Sequence, residues 1–213
     1  MSLVRLLQLA SPTLPVGAYS YSQGLEAAIE AGVVKDAETA ERWIADVLEF
    51  SVASMDAPLL FNLLKSSSEE QKLNELFLAS RETAELRAES VQMGYSLCRL
   101  LRELGMSDLP EGEVAFPTAF ALAARHWAIE PRDALLGYLW SWLENQVMAA
   151  VKGVPLGQTA GQKMLLSLGQ RLSDLSDSMQ ENSLKEGELR NFAPGLAMLS
   201  SRHETQYSRL FRS

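Results

Sequence analysis

The chain has 213 residues, of which 47% are hydrophobic and 22% charged, a composition typical of a soluble globular protein. Its formal charge of −8, from 19 basic and 27 acidic residues, argues against a protein that binds nucleic acid through clustered lysines and arginines. No apolar run approaches the roughly 20 residues needed to cross a bilayer, one cysteine (Cys98) cannot form an internal disulfide, and the N-terminus lacks a secretory pattern, so we expect a cytoplasmic protein.

The first unusual stretch is the loop SPTLPVGAYSYSQGLE, residues 11–26, which lies between apolar helical segments. An ordinary connection needs only a few residues and tolerates most polar side chains. Pro15 and Gly17 are suited to a fixed turn, and Gly17 permits a backbone conformation that is costly for other residues. We therefore expect this loop to be rigid and to present Tyr19.

Helix signals follow along almost all of the remaining chain, and no segment convincingly predicts a strand. Asp36 predicts the start of a helix over 37–55, where apolar residues recur every three or four positions. Pro58 is placed to open the next helix, and Ser66 to Ser68 followed by two glutamates predict a cap and a further helix. Later helices are predicted over 82–104 (ended by Gly105), from 116, over 132–152 after Pro131, to about 182, and after Pro194.

These signals predict a single all-α domain of about eight to ten helices. We place the helical domain at residues 1–201 and assign 202–213 to a C-terminal docking tail that belongs to the same domain. The segments LPEGE (109–113) and KEGE (185–188) are predicted surface loops.

The common catalytic patterns are incomplete. His126, His203 and Cys98 lie far apart in sequence, and HETQY (203–207) has tyrosine where the zinc-binding HExxH pattern needs its second histidine. The loop glycines are not followed by the lysine of a phosphate-binding loop, and SYSQG lacks the first glycine of a nucleophile elbow. We therefore predict no catalytic residue, no cofactor and no metal site.

Polar residues interrupt the predicted helix 132–152. Glu144, Asn145 and Gln146 occupy successive positions, so at least one of them must lie near the apolar face. That residue is either a hydrogen-bonded polar group in the core or part of a surface shared with a second subunit. Gly157, Gln158, Thr159 and Gly161 are likewise explained by close helix packing or by contact with a partner. Trp140 and Trp142 are interpreted as core aromatics, and His126 as a histidine at a helix end.

The last twelve residues, RHETQYSRLFRS, carry three arginines against one acid, which reverses the balance of the whole chain. Tyr207, Leu210 and Phe211 have the spacing that would gather an apolar patch on a helix. Burial of Phe211 alone could contribute about 1.5–3 kcal/mol, enough to dock the tail on a partner or on the body of the protein. A disordered end is the alternative.

Four segments together resemble one family. LPVGAYSYSQGLEAAIEAG, RETAELRAESVQMGYSL, SWLENQVMAAVKGVPLGQTAGQ and HETQYSRLFRS are similar, in this order and over essentially the whole chain, to the urease accessory protein UreF. The first segment departs from the family pattern at Ala18 and Tyr21, where serine and histidine are frequent. Pro15, Gly17, Tyr19, Gly24 and Glu26 match the pattern better.

The resemblance implies an all-α homodimer without catalysis of its own. Proteins of this family bind UreD (also called UreH) and recruit the GTPase UreG, in the complex that delivers nickel to apo-urease and supports carbamylation of its active-site lysine. The implied role is that of a chaperone, adaptor and GTPase regulator in metallocentre assembly. The residues that we assign to partner binding are Pro15, Gly17, Tyr19, Gly24, Glu26, Glu144, Asn145, Gln146, Lys152, Gln158, Thr159, Arg202, His203, Glu204, Tyr207, Arg209, Leu210 and Phe211.

We further expect the tail to pack beside the loop of residues 11–26, with Arg209 contacting Tyr19, so that the two form one docking surface for UreG. Two other functions are compatible with the residues alone. One is a dimeric helical scaffold with unrelated partners, and the other is a small-molecule enzyme that uses Glu144, Lys152 and Arg81 in a helical cleft.

Overall fold

The structure is a computed structural model that describes residues 2–181 and 189–213, and within those ranges it is all-α. The predicted loop at 185–188 lies outside the described residues. The ten α-helices of the described part are α1 (Ser2–Leu9), α2 (Leu25–Glu30), α3 (Ala37–Val47), α4 (Ala57–Lys65), α5 (Glu70–Ala79), α6 (Ala84–Glu103), α7 (Phe116–His126), α8 (Pro131–Gly153), α9 (Gln158–Glu181) and α10 (Pro194–His203). The predicted fold class is confirmed.

Helix α8 is the central element of the core. It packs against α9 over the longest interface of the described fold, and it also contacts α1, α2, α3, α4 and α7. Its buried residues include Leu135, Leu139 and Leu143, each with no exposed surface. An apolar core of this extent needs no disulfide, and the one cysteine, Cys98, is free and buried.

A π-helical segment, Leu48–Asp56, joins α3 to α4, so residues 37–65 form one continuous helical stretch. Pro58 lies in the first turn of α4, as predicted, and the helical stretch continues through it without a break. Because proline has no N–H, the carbonyl of Ser54 loses its helical partner at Pro58. That carbonyl accepts a hydrogen bond from Arg190 N at 3.0 Å, and Phe50 O accepts one from Phe192 N at 3.2 Å.

The same stretch, Ala37–Lys65, is long and apolar enough to cross a bilayer by length and composition. Of its most apolar window, however, 72% is buried inside the protein. Ile44, Leu59, Leu60 and Leu63 have no exposed surface. The stretch is therefore a core helix of this fold.

The predictions of helix caps and buried tryptophans were partly correct. Asp36 caps α3 in a reciprocal capping box with Thr39, as its sequence position predicted. The serine cap predicted for α5 is absent from the described structure, because Glu69 occupies the cap position without a side-chain bond while Ser66 and Ser68 bond to each other. Trp142 is partly buried, whereas Trp140 is 38% exposed, so its assignment to the core was wrong.

The contact between α6 and the loop residues before α7 leaves no room for a side chain at Gly94. A Cβ atom there would overlap the backbone carbonyl of Val114. Backbone atoms cannot move aside as a flexible side chain can, so the two segments would have to separate.

We expect Gly94→Ala to lower the free energy of unfolding by about 3 kcal/mol or more, because it overpacks this contact. Urea unfolding followed by circular dichroism measures the change. Gly195→Ala is the matched control, since a Cβ at this helical glycine meets no atom within 4 Å. It should be neutral or stabilising, and equal losses in both variants would contradict the prediction.

Candidate functional site

The centre of the candidate site is the carboxylate of Glu26, on α2, which is 8% exposed. Its Oε1 accepts a hydrogen bond from Leu210 N at 2.7 Å, and its Oε2 accepts one from Phe211 N at 2.9 Å. Oε2 also lies 3.2 Å from His203 Nε2. A single buried side chain thus holds the backbone of the tail and the end of α10.

His203, the last residue of α10, has no exposed surface and lies between two carboxylates. Its Nε2 faces Glu26 on α2, and its Nδ1 lies 2.7 Å from Glu85 Oε2 on α6. Glu85 also accepts a hydrogen bond from Arg209 Nη1 at 2.6 Å. Two acidic and two basic side chains therefore form one connected network.

The tail itself is not helical after His203. The helical apolar patch predicted from Tyr207, Leu210 and Phe211 is consequently wrong: Phe211 is buried, whereas Leu210 is 73% exposed and Tyr207 is fully exposed. The backbone of residues 204–213 is irregular, with turns and bends, and the buried Phe211 directly follows the exposed Leu210. The segment can therefore anchor itself through Phe211 and present Leu210 to solvent.

The tail lies along the loop of residues 11–26, as the sequence led us to expect. Arg212 N donates to Ser20 O at 2.8 Å, and Ser22 N donates to Ser213 O at 2.9 Å. Ser213 is fully buried, and its hydroxyl donates to Glu89 Oε2 at 2.7 Å. Backbone hydrogen bonds thus join the two segments directly.

The predicted contact between Arg209 and Tyr19 is not formed in the described structure. Arg209 instead binds Glu85 and donates to the backbone carbonyls of Glu204 and Gln206. The cation beside Tyr19 is Lys152, whose Nζ lies 5.9 Å from the centre of that ring and 5.6 Å from the centre of the Phe211 ring. Lys152 therefore links α8, the loop and the tail.

The polar residues of α8 reach the same region. Asn145 Nδ2 donates to Tyr21 O at 3.1 Å, and Gln146, which is 1% exposed, approaches Gln23 Oε1 at 3.4 Å. The core interpretation thus holds for Gln146, whose Oε1 has no hydrogen-bond partner in the described part of the chain. Glu144 is half-buried, and burial raises the pKa of its carboxyl.

The loop also has the predicted turn geometry. Gly17 has φ of +80° and Gly24 has φ of +77°, values that disfavour other residues. Tyr19, two residues after Gly17, is 67% exposed. Pro15, two residues before Gly17, is also exposed. At Gly24, a Cβ would lie 3.1 Å from Leu196 Cδ1 and 3.5 Å from Ser200 N, so this glycine lets α10 approach.

Four of the predicted site residues contribute less to this cluster. Gln158 and Thr159 are exposed at the start of α9, and their side chains form no hydrogen bond with other described residues. Gly161 provides close packing, with a Cβ position 3.0 Å from Val151 Cγ2. The side chains of Arg202 and Glu204 are exposed. The backbone carbonyl of Arg202 accepts from Thr205, and that of Glu204 accepts from Arg209.

A cavity of about 260 Å³ lies beneath the loop. Arg81, Glu144 and Lys152, which the enzyme hypothesis combined, all line it. Arg81 is nevertheless held by Asp56, with Nη2 2.9 Å from Oδ1, and its guanidinium lies over the Phe77 ring. This ion pair is an internal part of the fold. No cluster of three or more metal-ligating side chains occurs among the described residues.

Sequence reasoning missed Gln23, Glu85 and Glu89. Glu89 accepts from Gln23 Nε2 at 2.7 Å, and Gln23 Oε1 accepts from Trp142 Nε1 at 2.8 Å, so a polar chain connects tail, loop, α6 and α8. A signal for Glu89 was present: it lies three residues after Leu86 and four before Met93, on the apolar face of α6. Glu85 is one helical turn earlier on that helix.

Comparison with known proteins agrees with this architecture. The UreF family model matches residues 34–169, and the urease accessory protein UreF of Azoarcus sp. (strain BH72) is 56% identical over 227 residues, covering 100% of this chain and 96% of the relative. The chain belongs to the UreF family. UreF of Dechloromonas aromatica (strain RCB) is 52% identical, and UreF of Janthinobacterium sp. (strain Marseille) is 50% identical, each over 100% of this chain and 98% of the relative.

Membership of the UreF family identifies the chain as a urease accessory protein. It also gives the cluster a context, because residues of all four segments that resemble UreF meet around Glu26, Gln23 and Lys152. Such a protein takes part in urease maturation together with other factors.

Burial is the main influence on Glu89, and it raises the pKa of the carboxyl to about 7, although hydrogen bonds from Gln23 and Ser213 act in the opposite direction. A carboxyl whose pKa is raised by folding favours the folded state while protonated. Its contribution is fully present below its ordinary pKa of 4.5 and is lost as pH rises to about 7.

We expect Glu89→Gln to flatten the pH dependence of stability, because the amide cannot ionise. The wild-type protein should lose up to about 3 kcal/mol of unfolding free energy between pH 5 and pH 8 that the variant retains. Urea unfolding at a series of pH values measures this difference. Glu103→Gln is the control on the same helix, since Glu103 is exposed; a wild-type slope unchanged by Glu89→Gln would contradict the prediction.

Proposed function

We propose that this chain is a non-catalytic cytoplasmic adaptor of urease maturation. As a homodimer it binds UreD (UreH), recruits the GTPase UreG and regulates it, in the complex that inserts nickel into apo-urease. Residues 202–213 act as a docking tail that belongs to the same domain as residues 1–201. The unrelated scaffold and the enzyme are less well supported, since family membership favours the accessory role.

The observation that carries the proposal is the anchoring of the tail. A segment with irregular backbone is fixed on the loop by its own amides, while Tyr19, Tyr207 and Leu210 remain 67%, 106% and 73% exposed. Exposed tyrosines next to arginines are typical of binding hot spots. We call Tyr19, Arg202, Tyr207, Leu210 and Arg212 the docking surface.

The docking surface also differs from the rest of the protein in charge. Arg202 and Arg212 are exposed in it, although the whole chain carries −8. Positive charge within an acidic protein steers an acidic partner to one face. An adaptor needs such a directed surface, because it must bind different proteins in a fixed arrangement.

The double variant Tyr207→Ala, Leu210→Ala should weaken recruitment of UreG to the complex with UreD by about tenfold or more, because both side chains are exposed and have no internal role. Titration of UreG against the purified complex measures the affinity. Leu166→Ala is the matched control, since Leu166 is 82% exposed on α9.

A second arm tests the tail as a whole. A chain truncated after Ser201 should keep its helical circular dichroism but fail to co-purify one of the two partners. Unchanged affinity of the folded double variant would refute the docking surface. Failure of the intact chain to bind UreD would refute the adaptor role and favour a scaffold with unrelated partners.

Regulation of the GTPase needs a separate measurement. We expect the turnover of GTP by UreG to change when the intact complex is added, and to stay at its free value with the double variant. If UreG binds to the intact complex without any change in turnover, the adaptor positions UreG and does not regulate it.

A further inference from the structure

We propose that His203 is a proton-dependent latch that holds the tail on the body of the protein. The protonated ring joins Glu26 of α2 to Glu85 of α6, and loss of its proton loosens residues 204–213 from the loop. The consequence for partners rests on the proposed function, because the docking surface exists in its described form only while the tail is held. The latch itself is a property of the isolated chain.

The argument begins with the hydrogen atoms of the ring. A neutral imidazole carries one N–H and one lone pair, whereas the imidazolium carries two N–H donors. In this site Nδ1 lies 2.7 Å and Nε2 3.2 Å from carboxylate oxygens, which accept but cannot donate while ionised. Only the imidazolium can donate to both, and a neutral ring would direct a lone pair at a carboxylate.

The burial of His203 makes the difference between the neutral and the protonated ring energetically important. His203 has no exposed surface, so water cannot replace a lost contact. With the ring protonated, His203 and Arg209 balance the charges of Glu26 and Glu85. With the ring neutral, the buried network carries one uncompensated negative charge, and such a charge is strongly unfavourable away from water.

The tail is directly coupled to this network. Glu26 binds the backbone amides of Leu210 and Phe211, and Glu85 binds the side chain of Arg209. Repulsion between the neutral ring and either carboxylate therefore displaces a group that holds the tail. Docking of the tail and protonation of His203 must stabilise each other.

The charged groups around the ring are Glu26 from α2, Glu85 from α6 and, through Glu85, Arg209 from the tail. One other titrating group touches the tail at a different place: Glu89 binds Ser213. Burial raises the pKa of its carboxyl whereas the hydrogen bond from Ser213 lowers it, so ionisation of Glu89 also affects a contact of the tail. The test must therefore separate His203 from Glu89.

The two amides that donate to Glu26 provide a direct readout. We expect the hydrogen-exchange protection factors of Leu210 and Phe211, corrected for intrinsic rates, to fall about tenfold or more when the pH is raised from about 6 to about 9. Nitrogen-15 spectra of the ring should show both nitrogens of His203 protonated at the lower pH. A docked tail around a neutral ring would overturn the proposal.

Glu85→Gln is the decisive variant. The introduced amide can donate to Nδ1 and still accept from Arg209, so a neutral ring fits without repulsion. The tail should stay protected and lose its pH dependence. His126→Gln is the matched control, since His126 is the other of the two histidines and is exposed; its pH profile should equal that of the wild type.

Two further outcomes are informative. In Glu89→Gln, the hydrogen-exchange protection of Leu210 and Phe211 should still fall when the pH is raised. If this fall disappears, the effect belongs to Glu89, and the role of His203 is overturned. If Glu85→Gln does not fold, the ring spectra of the wild type still decide the proposal. Protection that is independent of pH refutes the latch even when UreG binds, whereas a working latch without UreG binding refutes only the proposed function.

Discussion

The site depends on the burial of one carboxylate. Glu26 is only 8% exposed, and a buried carboxylate is stable only when its oxygens receive hydrogen bonds or an opposite charge. Two amides from the tail and the ring of His203 supply these contacts. The dependence is mutual: without Glu26, the amides of Leu210 and Phe211 would have no such acceptor, and the tail would lose its anchor.

The position of Glu26 is in turn set by backbone constraints in the preceding loop. Gly24 has a positive φ and no side chain, so α2 can begin sharply while α10 approaches it closely. His203 ends α10 and is thereby brought to α2 and α6. A larger residue at position 24 would be strained by its positive φ, and its Cβ would lie only 3.1 Å from Leu196 Cδ1 of α10. A glycine in the loop thus controls a contact made by residues near the other end of the sequence.

Much of this arrangement follows from local sequence signals, and some of it does not. Periodic apolar residues, Pro131, Pro194 and the Asp36 cap predicted the helices, because these signals act within one or two turns. Pro58 was correctly placed at the start of α4, but local signals did not show that α3 and α4 join without a break, nor that Ser54 O accepts from Arg190 N, which is distant in sequence. The helical reading of Tyr207, Leu210 and Phe211 failed for the same reason: Glu26 determines the course of the tail.

The contact assigned to Arg209 shows where sequence reasoning reaches its limit. The sequence predicted correctly that the tail lies beside the loop, but it paired Arg209 with Tyr19 because the two lie in the most unusual stretches of the chain, and it assigned no role to Glu85. In the fold, α10 covers that part of α6, so Glu85 is only 16% exposed in its side chain and needs cationic partners. His203 and Arg209 meet this need together. The charge of the tail is therefore divided: Arg209 and His203 hold the segment in place, while Arg202 and Arg212 are exposed.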